Sequence, residues 1–356
     1  MSEAMARLAD LLVPEGATLR SALEAMTRSG RQVALVVDGD RRLLGLMTDG
    51  DVRKALLRGV ALDAKVDEVM NRTPVVASAG VSRGEALALM RSRSIRHVPV
   101  VDERRTVVDL LRLEDLLAPV PPLRSRAVIM AGGEGMRLRP LTESTPKPML
   151  RVGGKPILEL LMERLRQSGI VDVVVALRHK SELIREHLGD GERLGVRIEY
   201  VEEPEPLGTM GALTLVRNGL DLPFFVVNGD ILTKCDFRAM WEFHRARVGA
   251  AMTVGVSLYQ IEIPYGEFAL RGERIERVDE KPRKEFPINA GIYVLEPSVV
   301  DMLPRGQYFD APELIRLLLA RGEHVAAYAI REYWLDVGRH PDLEKANRDV
   351  AEGLLD

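Results

Sequence analysis

Three glycines and two cations lie close together after an apolar stretch of the chain. Gly132, Gly133 and Gly135 have no side chains, so the backbone N–H groups of this turn can face an anion. Arg137 and Lys147 follow, and such cations neutralise charge that develops on a phosphoryl group. The segment matches neither the Gly-Lys-Ser/Thr phosphate loop nor the GxGxxG fingerprint. It suits either a tight connection between a strand and a loop or a site for a triphosphate.

Asp230 is a candidate metal ligand. It follows the apolar residues 224–227 and an Asn-Gly turn, so it is expected at the carboxyl end of a strand. Mg²⁺ prefers one or two carboxylates together with phosphate oxygens, although an isolated Asn-Gly-Asp is also typical of an ordinary turn. Cys235 comes five residues later without a catalytic signature around it, and we interpret it as a small packed thiol.

Beyond residue 125, segments with the pattern of strands alternate with segments with the pattern of helices. These elements must position the residues named above. Their pattern predicts a mostly parallel sheet with helices on both faces, which binds ligands at the carboxyl ends of its strands. The predicted strands are 127–131, 171–177, 196–201 and 224–227, and the predicted helices are 157–168, 181–188 and 209–219.

An internal repeat occupies the first third of the chain. Val36-Val37-Asp38 recurs 64 positions later as Val100-Val101-Asp102, and the same offset carries Asp51 onto Asp115. Each copy is predicted to contain a helix, two strands and a closing helix. Two such half-domains usually pack on each other, because neither alone buries enough apolar surface.

Three prolines divide the chain into two parts. The segment 118–125 contains them and is predicted to be a linker, since proline removes backbone donors and favours extended geometry. The predicted domains are 1–117, with repeats at about 9–58 and 67–117, and 126–356.

The composition excludes several functional classes. With 46% hydrophobic and 29% charged residues among 356, wholesale disorder is excluded. Lys and Arg total 50 against 53 Asp and Glu, so no basic surface for nucleic acid is expected. The single cysteine, the lack of an apolar leader and the absence of a run of roughly 18 apolar residues predict a cytoplasmic protein without a membrane span.

The string GGxGxRLxPLTxxxPKPM, from Gly132 to Met149, resembles the signature of the sugar-1-phosphate nucleotidylyltransferases. Further matches cover residues 125–350, in the order of that family. The resemblance implies a Rossmann-like nucleotidyltransferase domain and a Mg²⁺-dependent condensation of a nucleoside triphosphate with a sugar 1-phosphate, which releases pyrophosphate. The additional matching motifs are VGGKPIL, PLGTMGAL, NGD, EKP, NAGIY and WLDVG.

The same resemblance implies roles for individual residues. Asp336, in WLDVG, is expected to hold the metal with Asp230, and Arg137 and Lys147 are the expected catalytic cations. The remaining assignments are Gly132, Gly133, Gly135, Gly208 and Thr209 for the nucleotide, Lys281 for the sugar phosphate, and Glu280 and Asn289 for sugar hydroxyls.

Several positions leave alternatives open. Glu280 and Lys281 are also typical of a solvated charged turn, since Arg283-Lys284-Glu285 follows them. Many family members have alanine where Met210 stands, which leaves the base open. His340 is expected near the surface and outside the metal site.

The two amino-terminal copies resemble a tandem pair of CBS motifs, a module of α+β type that binds adenine-type nucleotides in many proteins. Thr48 and Asp51 match its phosphate and ribose contacts at a helix start. In the second copy Asp115 remains but Arg112 replaces the hydroxyl, so we expect one nucleotide per chain. A helix cap explains the same residues, and dimerisation is the alternative role.

The combination of a CBS pair with a short catalytic domain resembles the glucosamine-1-phosphate guanylyltransferases. It favours GTP and glucosamine 1-phosphate as substrates in a homo-oligomer. UTP or another triphosphate, and mannose-, glucose- or muramic-acid-type sugars, remain open. A non-catalytic sensor of nucleotide sugars is the further alternative, but the retained Arg137, Lys147, Asp230 and Asp336 favour an enzyme.

Overall fold

The computed structural model describes residues 8–78, 81, 83–118, 120–216 and 218–355. The chain forms two compact units, Met1–Pro119 and Val120–Asp356. Each unit has its own hydrophobic clusters. In the described part of the chain, no helix is both long and apolar enough to cross a membrane.

The first unit contains the repeat twice. In each copy the first strand pairs parallel with the second, which pairs antiparallel with the third. The first copy consists of β1 (Leu12–Pro14), α1 (Leu19–Ser29), β2 (Val33–Val37), β3 (Leu43–Thr48) and α2 (Asp49–Leu57). The second consists of β4 (Ala77–Ser78), α3 (Arg83–Arg93), β5 (His97–Val101), β6 (Val107–Arg112) and α4 (Leu113–Leu117). The predicted helix–strand–strand–helix order is confirmed.

The two copies join at their hairpins. The backbone N–H of Leu43 donates to Arg105 at 3.0 Å, and that of Val107 donates to Arg41 at 3.1 Å. One cluster contains Leu35 from the first copy and Val107 from the second. The copies therefore share buried apolar surface, as their small size requires.

The second unit is built on a seven-stranded sheet in the order β11-β10-β7-β12-β17-β14-β18. Four of its six strand pairings are parallel, whereas β17 runs antiparallel to both of its neighbours. The fold is thus α/β with a mixed, mostly parallel sheet. Its strands are β7 (Arg126–Met130), β10 (Asp172–Leu177), β11 (Arg197–Glu202), β12 (Phe224–Asn228), β14 (Ala250–Glu262), β17 (Arg283–Leu295) and β18 (His324–Ala329).

Helices cover both faces of this sheet. Successive residues of β7 point to opposite sides, so Ile129 enters one hydrophobic cluster and Val128 the other. The helices are α5 (Ile157–Gln167), α6 (Ser181–Leu188), α7 (Gly208–Gly211), α8 (Phe237–Arg245), α9 (Ala311–Ala320) and α10 (His340–Ala351).

Smaller strand pairs complete the unit. They are β8 (Arg151–Val152) with β9 (Lys155–Pro156), β13 (Ile231–Thr233) with β19 (Trp334–Asp336), and β15 (Glu267–Arg271) with β16 (Arg274–Asp279). Beyond Val256 the strands β14 and β17 leave the core, and together with β15 and β16 they form what we call the arm, residues 257–288.

The predicted helix 209–219 is wrong. Helix α7 ends at Gly211, a 3₁₀ turn follows over Ala212–Leu215, and Val216 is extended. The backbone N–H groups of Met210 and Gly211 both donate to the carbonyl of Phe309, each at 2.9 Å. Both N–H groups belong to the first turn of α7, so this tertiary contact caps the start of the helix and holds the segment against a distant loop.

The end of the proline-rich segment packs on the second unit. Leu123 is buried, and its N–H donates to the carbonyl of Gly169 at 2.7 Å. The Ser125 hydroxyl donates to the carbonyl of Pro223 at 2.9 Å. Leu123 and Ser125 are therefore packed as part of the second unit.

Candidate functional site

The carboxyl ends of four parallel strands meet at one edge of the large sheet. The residues that follow β7, β10, β11 and β12 are tied together by backbone hydrogen bonds of 2.8–2.9 Å. These bonds run from Ala131 to Ala176, from Gly229 to Met130 and from Glu203 to Leu177. Polar groups at this edge lie where α/β sheets bind their ligands.

The glycine turn follows β7 at this edge, and two of its positions have no room for a side chain. A Cβ atom on Gly132 would lie 2.5 Å from Oε1 of Glu203. Gly135 has φ of 64°, and its Cβ would lie 2.9 Å from the Cβ of Lys147. Gly133 is exposed with nothing within 4 Å of its Cβ position, so its backbone is open to a ligand.

Lys147 and the two aspartates form the centre of the site. Ile231 pairs with Asp336 in the β13–β19 ladder, and the N–H of Val337 donates to the carbonyl of Asp230 at 3.0 Å. The Lys147 ammonium forms an ion pair with Asp230 and lies 3.9 Å from Oδ1 of Asp336. The structure thus brings together three residues that are separated by up to 189 positions in the sequence.

The electrostatics of the pair favour an added cation. Partial burial and the neighbouring Asp230 carboxylate raise the pKa of Asp336, whereas Lys147 and Arg137 lower it. Burial and the second carboxylate both disfavour the charged form of Asp336, and a cation beside the pair would offset them.

A magnesium ion fits the donors that are present. Among the described residues there is no cluster of three or more His, Cys, Asp or Glu side chains that could hold a metal. Mg²⁺ is usually held by one or two carboxylates and completed by substrate phosphates and water. Asp230 and Asp336 supply these two carboxylates.

Arg137 approaches the same pair from the glycine turn. It lies in the 3₁₀ turn Met136–Leu138, directly after Gly135. A Cβ atom on Gly338 would lie 3.6 Å from Nη2 of Arg137 and 3.6 Å from Oδ1 of Asp336. The guanidinium and the carboxylate therefore face a common space next to Gly338.

Glu203 is a site residue that the sequence analysis missed. It is buried at the end of β11, against Gly132, and its Oε2 accepts the Leu207 N–H at 3.1 Å. Burial raises the pKa of Glu203, while this N–H and Arg178 lower it. A buried carboxylate is expected to be paired with a cation or to accept hydrogen bonds, so Glu203 is a candidate contact for a ligand beside the glycine turn. Its place directly after a strand end, like that of Asp230, is the sequence signal that could have identified it.

The PLGTM loop, residues 206–210, is held in place by the backbone of Phe309. The Phe309 N–H donates to the carbonyl of Leu207 at 2.8 Å, and a Cβ atom on Gly208 would lie 2.8 Å from the Phe309 carbonyl. Thr209 follows and is partly exposed. Met210 is fully buried in the core, so its side chain faces away from any ligand of the loop. Its difference from alanine therefore carries no information about the base.

Asn289, one of the three candidate sugar contacts, lies in β17. The Asn289 amide donates to the Tyr293 hydroxyl at 2.8 Å and accepts the Gly291 N–H at 3.0 Å. A Cβ atom on Gly291 would lie 2.6 Å from the Asn228 amide, which places this turn beside the end of β12.

Glu280 and Lys281 lie on the arm instead. Both are exposed, and Oε2 of Glu280 lies 3.1 Å from the Cβ position of Gly266. No hydrogen bond or ion pair within the described residues joins either of them to Lys147, Asp230 or Asp336.

The family model for nucleotidyl transferases matches residues 126–353, and the CBS domain model matches residues 3–58 and 66–120. The chain belongs to the nucleotidyl transferase family. The resemblance seen in the sequence is thereby confirmed, including the CBS pair.

The relatives of this nucleotidyl transferase include curated guanylyltransferases. It is 35% identical over 241 residues to the mannose-1-phosphate guanylyltransferase of Mycobacterium tuberculosis, with 64% of this chain and 65% of the relative covered. It is 38% identical over 228 residues to the mannose-1-phosphate guanyltransferase of Yarrowia lipolytica, with 61% of each chain covered. The chain therefore spans less than two thirds of the length of these relatives.

A solved structure supports the fold. HddC from Yersinia pseudotuberculosis is 26% identical, with a TM-score of 0.50, over 64% of this chain and 99% of that chain. The aligned share of this nucleotidyl transferase is the size of its second unit, which carries the glycine turn and the aspartate pair.

In the CBS unit, Thr48 and Asp51 form a helix cap. The Asp51 N–H donates to the Thr48 hydroxyl at 3.3 Å, and Oδ2 of Asp51 accepts from the Thr48 N–H at 2.9 Å and from the Thr48 hydroxyl at 2.7 Å. These contacts satisfy the first turn of α2. The two residues therefore have a structural role in the described state.

The second copy has a cavity at the corresponding place. Arg112 forms a two-point ion pair with Asp115, at 2.8 and 2.6 Å. A cavity of about 240 Å³ lies beside them, and Arg31 and Leu11 also line it. Arg112 thus lines a cavity to which both copies of the repeat contribute residues.

Two further residues of the sequence analysis are placed by the structure. Cys235 is buried, and burial raises the pKa of its thiol well above the ordinary value, as expected for a packed, unreactive side chain. The His340 imidazole lies 2.9 Å from the carbonyl of Arg139, in keeping with a position outside the metal pair.

Proposed function

We propose that the protein transfers a GMP group from GTP to a sugar 1-phosphate, with mannose 1-phosphate as the first candidate, and releases pyrophosphate. The observation that carries this proposal is the convergence of Lys147, Asp230 and Asp336 beside the glycine turn at one sheet edge. This combination suits two phosphate-bearing substrates that must approach each other.

The main obstacle to this reaction is charge repulsion, because an anionic sugar phosphate attacks the α-phosphorus of an anionic triphosphate. Arg137 and Lys147 offset this repulsion from two sides, and the open backbone at Gly133 faces the phosphates. We propose an in-line attack, with pyrophosphate leaving on the opposite side and no covalent intermediate. No general base is required, because the phosphate monoester is already ionised near neutral pH.

Asp230 and Asp336 are proposed to hold Mg²⁺. The ion, when bound, would neutralise phosphate charge and help to orient the triphosphate. Lys147, which is paired with Asp230 in this structure, is then free to turn its ammonium toward the phosphates. It is buried along its stem, so this turn requires movement of the side-chain end only.

Glu203 supports guanine as the base. One of its oxygens accepts the Leu207 N–H, and the other lies against Gly132 without a hydrogen bond among the described residues. The guanine edge presents two adjacent N–H donors, N1–H and the exocyclic amino group, which suit a carboxylate. Uracil and thymine present a single N–H between two carbonyl oxygens, which a carboxylate repels. The guanylyltransferase names of the relatives agree with this choice.

For the sugar, mannose 1-phosphate is favoured by the curated relatives. Glucosamine 1-phosphate, which the CBS architecture favoured, is retained as the alternative. Asn289 beside β12, and Glu280 and Lys281 on the arm, are the proposed sugar and sugar-phosphate contacts.

The test is pyrophosphate release, measured with four nucleoside triphosphates against mannose, glucosamine, glucose and N-acetylmuramic acid 1-phosphates. We expect the highest kcat/KM with GTP and mannose 1-phosphate, and no turnover without Mg²⁺. Turnover restricted to UTP or dTTP would contradict the base assignment. Binding of nucleotide sugars without any turnover would identify a sensor instead of an enzyme.

The Glu203→Gln variant isolates the base contact. It replaces one acceptor oxygen with a donor, and we expect kcat/KM for GTP to fall by about tenfold or more. The Glu205→Gln variant is the matched control, because Glu205 is exposed in the same loop. Equal loss in both variants would argue against a contact between Glu203 and the base.

The CBS unit is proposed to bind a regulatory nucleotide. Support comes from the cavity beside Arg112 and Asp115, which is lined by charged side chains of both copies. Dimerisation through this unit is the alternative role.

A further inference from the structure

An acidic side chain lies inside the glycine turn. Glu134 stands between Gly133, whose backbone is open to a ligand, and Gly135. A carboxylate so close to bound phosphates would repel them, because the Coulomb interaction between like charges extends well beyond direct contact. If this turn binds a triphosphate, the charge of Glu134 therefore has to be balanced by a cation nearby.

Arg178 supplies that cation. It directly follows β10, and its Nη2 donates to Oε1 of Glu134 at 2.8 Å. The Arg178 guanidinium holds the pKa of the Glu134 carboxyl below its ordinary value, with smaller contributions from the charges of His179 and Arg139. Glu134 is therefore ionised at neutral pH, and the ion pair with Arg178 balances its charge.

The same arginine lies beside the second glutamate of this edge. The Cβ position of Gly132 lies 2.5 Å from Oε1 of Glu203 and 3.3 Å from the Cβ of Arg178. The charge of Arg178 also lowers the pKa of Glu203, against the effect of burial. Among the residues that the structure describes, no other cation forms an ion pair with Glu134 or Glu203. Without Arg178, two uncompensated carboxyl groups would lie close to the glycine turn.

The shape of the turn has anchors other than this ion pair. The Thr142 hydroxyl donates to the carbonyl of Gly135 at 3.0 Å, and the Lys180 ammonium donates to the carbonyl of Thr142 at 3.0 Å. The Arg178 and Glu134 side chains are 24% and 39% exposed, and ion pairs in contact with water contribute little to folding. The charge of Arg178 is therefore more important here than its contribution to stability.

We propose that Arg178 is a positioning residue that holds and neutralises Glu134, and so keeps the glycine turn free of net negative charge for the triphosphate. The inference rests on the proposed function, since the glycine turn must be the triphosphate site. Arg178 acts through Glu134 and does not bind the nucleotide itself. The pair has no net charge, whereas loss of Arg178 leaves one negative charge and loss of Glu134 leaves one positive charge.

The experiment measures binding of GTP in the presence of Mg²⁺ to the full chain by calorimetry, without a sugar phosphate and therefore without transfer. Arg178→Met retains the length of the side chain but removes its charge, and we expect the Kd for GTP to rise by about tenfold or more. Glu134→Gln should bind GTP at least as tightly as the wild type. The double variant has no net charge at the pair and should regain the wild-type Kd. Arg178→Lys retains the charge and should also bind like the wild type.

Arg197→Met is the matched control. Arg197 pairs with Asp172 at 2.7 Å at the opposite end of β10, so this variant loses the same charge away from the glycine turn. Its Kd for GTP should stay at the wild-type value. The difference between Arg178→Met and the wild type should also shrink as salt is added, because ions screen the charge of Glu134.

The variants separate this inference from its alternatives. An unchanged Kd in Arg178→Met would overturn it, because the charge of Glu134 would then not affect the triphosphate. A double variant as weak as Arg178→Met would overturn it in favour of direct binding of the nucleotide by Arg178. Equal weakening in Glu134→Gln and Arg178→Met would leave the pair with a structural role only. If the wild-type chain binds no triphosphate, the proposed function fails and this inference with it, a result that is visible without any substitution.

Discussion

Lys147 is the residue on which the charge balance of the site depends. Its stem is buried beside Gly135, and its ammonium lies between two carboxylates that neither share a strand nor lie near it in sequence. A buried cation beside two carboxylates stabilises the empty site and becomes available when another cation takes its place. One lysine thus suits both the substrate-free and the substrate-bound state.

Removing either aspartate charge should nearly abolish turnover. Asp230→Asn and Asp336→Asn keep the side-chain volume but remove charge from the proposed Mg²⁺ site, so unfolding curves should change little while kcat falls steeply. Asp221→Asn is the control, because Asp221 is exposed before β12. Wild-type rates in either variant would contradict the metal assignment.

The two cations should act on the transition state. Arg137→Ala and Lys147→Ala are expected to lower kcat by about a hundredfold or more, since each removes charge stabilisation of the phosphorus under attack. Lys147→Met retains most of the buried stem and serves as a second variant in case the alanine variant unfolds. A rise in KM with unchanged kcat would show that the two residues only bind substrate.

Residues were predicted well from sequence where a whole motif specified them. The glycine turn follows β7 and Asp230 follows β12, as expected, and Lys147 lies beside both in the 3₁₀ turn Lys147–Met149. Glu203 was not found, because an isolated glutamate after a strand resembles any solvated charge until its burial against Gly132 is known. Burial by distant residues is the information that local spacing lacks.

At the scale of elements, the loop that precedes α9 holds the PLGTM loop, residues 206–210, in place. The 209–219 pattern predicted one helix, but α7 ends at Gly211, and the carbonyl of Phe309 accepts two N–H groups of its first turn and holds the segment in place. No local pattern in residues 209–219 contains that contact. Four of the seven strands, β7, β10, β11 and β12, were predicted from their short apolar runs, whereas β14, β17 and β18 were not.

Gly208→Ala should disturb the PLGTM loop in two ways, through the strain of a left-handed backbone and through a clash of the added Cβ. Gly208 has φ of +73°, and an added Cβ would lie 2.8 Å from the Phe309 carbonyl. Gly272→Ala is the matched control, since Gly272 has φ of +61° with nothing within 4 Å. Both should lose about 1–2 kcal/mol of stability from the left-handed backbone. Only Gly208→Ala should also raise KM for GTP. Equal KM values in both would contradict a role of the loop in nucleotide binding.

At the scale of the whole molecule, the second unit should function alone. Its hydrophobic clusters contain no residue before Leu123, and every proposed catalytic group lies beyond that point. Deleting residues 1–120 should therefore leave a folded, Mg²⁺-dependent enzyme, measured by circular dichroism and pyrophosphate release. An insoluble or inactive fragment would indicate that the units depend on each other for folding.

Regulation is a property of the whole chain, because a nucleotide in the first unit must affect chemistry in the second. We expect one nucleotide per chain in the cavity beside Arg112, where this guanidinium would exchange part of its pairing with Asp115 for phosphate. If binding is coupled to catalysis, the ligand must distinguish two states of the enzyme, with a coupling of roughly 1–3 kcal/mol.

Calorimetric titration of adenine and guanine nucleotides distinguishes the two copies of the repeat. Arg112→Ala should abolish binding, because it removes the cation that lines the cavity. Asp51→Ala should retain it and lose only the cap of α2, which costs about 1 kcal/mol of stability. Loss of binding in Asp51→Ala alone would place the ligand at Thr48 and Asp51, in the first copy. If the wild-type chain binds no nucleotide, the repeat serves association and has no sensing role.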